Sequence, residues 1–309
     1  MAHTDIAVLM CTHNGARYLR SQLDSIYRQS AAPRALFVHD WGSSDGTVEI
    51  LEAFSKIYSD RFPVFVHVHD AAPGPCRSFL LAIEEVIASE HPFGYLALCD
   101  QDDVWAPKKL EIYNDIIRDA EDPPRLLCSD VSLIDESGRL LSESFYSRNG
   151  VFREPRSILD PSILLFNPIV GMTLCMSRSA LRDLSPAFVE NWIMHDWALV
   201  ILVALHRWEY RFVAQPLVAY RQHAANVLGA SQGSRLIERL KKSGAHFQRV
   251  RRQIRCANMY VTRLTPALEN SLAIPNASRR LQVARTAVRS PLLAPMKRLA
   301  LGAAIILFW

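Results

Sequence analysis

Within the first 100 residues, four short apolar runs alternate with three amphipathic stretches, and this alternation leaves few folds open. "IAVLMCT" (6–12), "RALFVHD" (34–40), "PVFVHVHD" (63–70) and "YLALCD" (95–100) have the length and composition of strands, the first and last apolar enough to be buried on both faces. Between them, "ARYLRSQLDSIYRQS" (16–30) sets Leu19, Leu23 and Ile26 on one helical face, and helices are expected over 46–58 and 78–88. The resulting βαβαβαβ order predicts an α/β fold with a Rossmann-like, mostly parallel sheet flanked by helices. Ligands of such sheets gather beyond the carboxyl ends of the strands. Polar clusters stand at those ends: "THNG", "HDWGSSDGT", "HDAAPGP" and "DQDDVW".

The last cluster carries Asp100, Asp102 and Asp103 within four positions. Like charges that close repel unless a positive group sits among them. Two carboxylates at i and i+2 on a loop can share a hard divalent cation, and Mg²⁺ or Mn²⁺ is the match for such oxygen ligands. A cation held this way commonly shares its other positions with phosphates, so the pattern points to a nucleotide or sugar diphosphate.

Farther along, "PRLLCSDVSLID" (124–135) suggests a strand and turn, "NPIVGMTLCMSR" (167–178) an apolar strand containing a glycine, and "WIMHDWALVILVAL" (192–205) a helix opening on His195 and Asp196. From Ser234 to Leu264, apolar residues recur at three and four, the pattern of one or two basic amphipathic helices. Residues 231–309 contain 15 Lys and Arg but two Asp and Glu, leaving 20 basic and 29 acidic residues before them. We therefore expect two parts, 1–230 and a basic helical extension, 231–309. The extension ends in "LALGAAIILFW", eleven apolar residues, too short to span a bilayer alone but suited to an anionic membrane surface. Docking on the domain is the plain alternative. Nucleic acid is disfavoured, since few aromatics interleave with the arginines.

Six cysteines (11, 76, 99, 128, 175, 256) show no C-x-x-C pair, which suits a reducing compartment. "MAHTDIAVLM" has no basic region ahead of a long apolar stretch, so a cytoplasmic protein is expected, peripheral at the inner face of the cell membrane if the tail binds lipid.

"TDIAVLMCTHNGARYLRSQLDSI", "HDWGSSDGT" and "ALCDQDDVW", in this order and spacing, resemble glycosyltransferase family 2, inverting nucleotide-sugar enzymes of the GT-A fold. "GMTLCMSR", "HDWAL" and "YRQHAANVLG" resemble its bacterial rhamnosyltransferase-type branch, which builds surface polysaccharides. The resemblance spans roughly 4–230. It implies that Thr12, Asn14 and Asp40 hold the base and ribose, with Asp40 accepting from a pyrimidine N–H. Asp100 is implied at ribose or sugar hydroxyls, Asp102 and His223 at the metal, and Arg77 or Arg221 at phosphate charge. Asp196 is implied as general base, its place at a helix N-terminus favouring the ionised form. The partners implied are a nucleotide-diphosphate sugar, with rhamnose the sugar this branch suggests, and a hydroxyl of a glycan or lipid-linked acceptor. Trp41 and Ser78 stand where many relatives carry Asp and Asn.

Plainer readings stand beside these. The acidic triplet fits a solvated turn capping a helix, Asp45 a cap of the helix after it, and Asp196 a cap of its own helix. Trp192 and Trp197 fit either a sugar floor or core packing. His67 and His69 share a strand face and fit metal ligation or a bland surface. Two other functions remain in view: a nucleotidyltransferase, for which "CTHNGARY" lacks the glycine-rich basic phosphate loop, and a non-catalytic nucleotide or glycan binder.

Overall fold

The computed structural model describes residues 3–149, 154, 155, 158, 161–224, 248–261, 285 and 289. Along the chain run β1 (Ile6–Thr12), α1 (Ala16–Tyr27), β2 (Leu36–Trp41), α2 (Thr47–Tyr58), β3 (Val64–His69), α3 (Pro75–Ala88), β4 (Tyr95–Cys99), β5 (Val104–Trp105) and α4 (Lys109–Asp119). Then come β6 (Leu126–Ile134), β7 (Leu140–Ser142), α5 (Phe145–Asn149), β8 (Cys175–Ser177), α6 (Arg178–Leu184), α7 (His195–Leu205), β9 (Tyr210–Arg221) and α8 over 248–261. The chain divides into two compact units. Met1–Phe145, Val170–Ser185 and Glu209–Arg221 form the first; Tyr146–Ile169, Pro186–Trp208 and the chain from Gln222 form the second.

The first unit is one curled, mostly parallel sheet in the order β3-β2-β1-β4-β8-β6-β9-β5, with β7 beside β6. β1 lies between β2 and β4, all parallel, as the alternating pattern predicts. Its first five residues have no exposure, because helices cover both faces and no polar side is needed. Leu19, Leu23 and Ile26 of α1 are likewise fully buried, each contributing about 1.5–3 kcal/mol of transfer free energy.

The stretch 167–178 departs from the expected single strand. It forms a 3-10 turn, Gly171–Thr173, and then the three-residue β8. The carbonyls of Met172 and Thr173 accept from Lys109 Nζ at 2.7 Å and Tyr113 Oη at 2.8 Å, so this backbone is satisfied by α4 rather than by a neighbouring strand. β9 was not foreseen as a strand. It runs parallel to β6 and antiparallel to β5, which brings Arg221 beside the loop that follows β4.

In the second unit every residue of α7 is buried, so its apolar sequence is a core requirement. Within α8, Val250, Ile254 and Val261 are buried, and Gln253 Oε1 accepts from Ile193 N–H at 2.9 Å. The rest of the predicted basic helices and the apolar end 299–309 lie outside the described residues. No helix among the described residues is long and apolar enough to cross a membrane.

Candidate active site

Parallel β2, β1 and β4 end side by side, and their loops are sewn together by polar side chains. Thr12, at the end of β1, donates from Oγ1 to Asp40 Oδ2 at 2.7 Å. Asp40, with no exposure, also accepts from Ser43 N–H at 3.0 Å and Ser43 Oγ at 2.6 Å. Asn14, in the left-handed region at φ 48, donates its N–H to Ser43 Oγ and accepts from Ser44 N–H through Oδ1 at 2.9 Å. On the other side, Gln101 brackets the His13 peptide: its Oε1 accepts from His13 N–H at 2.9 Å and its Nε2 donates to the His13 carbonyl at 3.1 Å. Gly15 makes this approach possible, since a Cβ there would lie 2.2 Å from Gln101 Oε1.

Asp45 joins two helix starts. Its Oδ2 accepts from Ala16 N–H at 3.0 Å and its Oδ1 from Thr47 N–H at 3.2 Å, the first residues of α1 and α2. Burial works against its charge, but the hydrogen bonds from Thr47 and Ala16 hold the pKa below the ordinary carboxylate value. The expected capping role is thus extended to a second helix.

The three acids after β4 separate by environment. Asp100 and Asp102 stay partly exposed while Asp103 is fully buried. Asp103 Oδ1 accepts from Arg221 N–H at 2.9 Å, and its Oδ2 has no hydrogen-bond partner among the described residues. Burial, reinforced by Asp102 and Asp100, drives its pKa far up. The repulsion within the triplet thus bears most heavily on its buried member. Nor is the triplet a helix cap, because α4 begins at Lys109 and its N-cap, Lys108, makes no side-chain cap hydrogen bond.

Arg221 clamps the same loop. Its Nε donates to the Asp102 carbonyl at 2.8 Å, its Nη1 reaches the carbonyls of Asp135 and Glu136, and its guanidinium lies 4.8 Å from the Tyr18 ring centroid. Arg77 sits partly buried in the first turn of α3. As for the cation that the motif implies, Asp100 and Asp102 are partly exposed carboxylates on one loop, a donor type that fits Mg²⁺ or Mn²⁺.

The model of the family described as Glycosyl transferase family 2 matches residues 7–150, the stretch that supplies all of these strand ends. Residues 7–150 thus carry a family 2 glycosyltransferase domain. The dTDP-rhamnosyl transferase RfbG of Shigella flexneri is 24% identical over 228 residues, covering 72% of this chain and 74% of that one. S. aureus TarS 1-349 shares the fold at TM-score 0.55 and 15% identity, over 99% of this chain and 71% of that one. A mannosyltransferase of Pyrobaculum calidifontis, PcManGT, solved with GDP-Man and Mn²⁺, does so at 0.50 and 17%, over 100% and 82%. The expected GT-A architecture is the one found.

In the second unit, Asp196 lies in the first turn of α7, buried, with Oδ1 accepting from Trp197 N–H at 2.7 Å. Desolvation raises its pKa to about 7 against the hydrogen bonds from Trp197 and Asn167. The expectation that the helix start would favour the carboxylate is therefore corrected: burial outweighs it. The N-cap position is Met194, not Asp196. Trp192 and Trp197 are buried, donating from their indoles to the Ala187 and Ile163 carbonyls, as packing residues do. His223, partly buried, follows Arg221 by two residues.

Sequence reasoning overlooked Ser43, Gln101 and Lys109. Gln101 stands inside the acidic motif and Ser43 inside "GSS", so their positions were marked, though not their partners. Lys109 is fully buried, its Nζ 3.6 Å from the Trp105 ring centroid, and burial lowers its pKa to about 7 despite nearby Cys99 and Asp103. Its helical spacing to buried Tyr113 was the available signal.

Proposed function

We propose that this enzyme transfers a sugar from a nucleotide diphosphate to a hydroxyl of a surface polysaccharide or lipid-linked glycan, inverting the anomeric centre. The observation that carries the reading is the joined floor formed by the ends of β1, β2 and β4, with partly exposed Asp100 and Asp102 beside it. Rhamnose is the favoured sugar, on the similarity to the S. flexneri enzyme.

Thr12, Asn14 and Asp40 would form the base and ribose end. A carboxylate offers about four acceptor positions, and Asp40 uses three of them internally. Asp100 would meet ribose or sugar hydroxyls. A divalent ion held by Asp102 and His223 would supply electrostatic stabilisation of the departing diphosphate. Because Arg221 is committed to backbone carbonyls, its part is to hold the acidic loop, which leaves phosphate neutralisation to Arg77. Asp196 takes the proton of the acceptor hydroxyl. The hydroxyl oxygen then bonds to the anomeric carbon while the bond to the diphosphate breaks, and the nucleoside diphosphate leaves with the electron pair. A base with a pKa near 7 is matched to neutral pH. The basic chain from 231 onward would keep the enzyme at the anionic inner face of a membrane, where lipid-linked acceptors reside.

The test is a donor screen with lipid-linked acceptor and Mg²⁺ or Mn²⁺, reading released UDP, dTDP or GDP. We expect release of one diphosphate, abolished in Asp196→Asn and in Asp102→Ala. Release of pyrophosphate would instead indicate nucleotidyl transfer, and nucleotide-induced thermal stabilisation without turnover a binding protein.

A further inference from the structure

The β3 edge of the sheet carries a histidine-rich layer that the transfer reaction does not use. β2 and β3 pair in parallel with His39 opposite His67 and Trp41 opposite His69. Alternation along both strands places Phe37, His39 and Trp41 with Phe65, His67 and His69 on one face. The rings stack in order: Phe37 on Phe65 at 5.1 Å, His39 on His67 at 4.9 Å and Trp41 on His69 at 3.8 Å. α3 crosses this face and contributes Glu85.

Three ligand atoms converge there. His39 Nδ1 lies 3.0 Å from His69 Nε2 and 3.6 Å from Glu85 Oε2, and all three atoms lie within 4.8 Å of one another. His39 Nε2 has no partner among the described residues, so the polar contacts of this buried ring run through Nδ1. Two imidazole nitrogens at 3.0 Å share either one proton or one cation. Ligands bound to zinc at 2.0–2.2 Å in a tetrahedron stand about 3.3 Å apart, which falls between the two measured separations. His69 and Glu85 are partly exposed, Glu85 with 49% of its side chain accessible, so solvent ions can reach the cluster.

We propose that His39 Nδ1, His69 Nε2 and Glu85 form a binding site for a zinc-class divalent cation, with water as the fourth ligand. Two imidazoles and a carboxylate select this class over Mg²⁺, which separates the site from the all-oxygen donors Asp100 and Asp102. The ion would tie edge strand β3 and helix α3 to β2 one residue before Asp40, fixing the loop 40–47 from its far side. Two loose ends of the sequence are accounted for together. The shared face of His67 and His69 becomes partly a ligand surface, and Trp41 becomes the plate that orients His69.

The test uses untagged, chelator-stripped full-length protein titrated with Zn²⁺ by calorimetry in excess Mg²⁺, followed by Co²⁺ absorption. One equivalent of Zn²⁺ is expected, together with visible cobalt bands lacking thiolate charge transfer. His69→Ala and Glu85→Gln should each weaken binding by about tenfold or more, whereas His67→Ala and Asp102→Ala should retain it. Retention in Asp102→Ala makes the result independent of the transferase reading. His39→Gln alters a buried position, so the two more exposed variants decide. Absence of uptake by folded wild type, uptake unchanged in both variants, loss in His69→Ala alone, or a thiolate band would each overturn the site.

Discussion

The Thr12 hydroxyl is the donor that holds the Asp40 carboxylate from the β1 side, at 2.7 Å, across 28 residues of sequence. Thr12→Val keeps the shape and removes the donor, leaving a buried carboxylate with one bond fewer. We expect a loss of about 1–3 kcal/mol in urea unfolding, accompanied by weaker nucleotide binding. Thr12→Ser should recover both. A Val variant as stable as wild type would mean that Ser43 alone satisfies Asp40.

Asp196 makes stability and activity respond to pH in opposite senses. Its folded pKa is raised from 3.8 to about 7, so between those values the folded state holds a proton that the unfolded state has released. Its contribution to stability is therefore present below about pH 4 and lost as pH rises to 7. Thermal melts of Asp196→Asn should match wild type at pH 4 and exceed it by several degrees at pH 8. Transfer by wild type should rise through an apparent pKa near 7 in kcat/KM, since a base must be ionised. A variant that melts lower at pH 8 would refute the assignment of burial as the dominant influence.

Gly15 and Gln101 form a coupled pair. Gly15→Ala puts a methyl 2.2 Å from Gln101 Oε1 and expels the amide from the His13 peptide. Gln101→Ala removes the same two hydrogen bonds directly. The double variant should cost much less than the sum of the singles, with a coupling of about 0.5–3 kcal/mol in a denaturation cycle. Additive costs would show that the Gly15 requirement lies elsewhere.

How far the sequence could be read depended on how local the determinants were. β1, β2, β3 and β4 announced themselves as apolar runs, and Thr12, Asn14, Asp40 and Asp102 stand at or just beyond the ends of three of those runs. β9 was harder. Pro216 and a register shift opposite Asp130 break its alternation, and much of it is partly exposed. Residues 167–178 misled for the opposite reason: an apolar composition suits a buried turn as well as a strand, and the choice was made by Lys109 and Tyr113 some 60 residues away. In the site, residue types were legible but their mutual bonds were not. The long-range partners of Asn14 and His13 lie 28 to 88 residues away, and no periodicity encodes them. Asp196 shows the same limit in its energetics, since the depth of its burial depends on the packing of the unit around it.

The carboxylate of Asp45 reaches the opening turns of both α1 and α2. Acting as a single rivet, it couples the two helices, so thermal jostling of one is carried to the other instead of prising them apart. Drilled out by an Asp45→Ala change, the joint would leave the two drifting separately, each with one opening N–H stripped of its carboxylate.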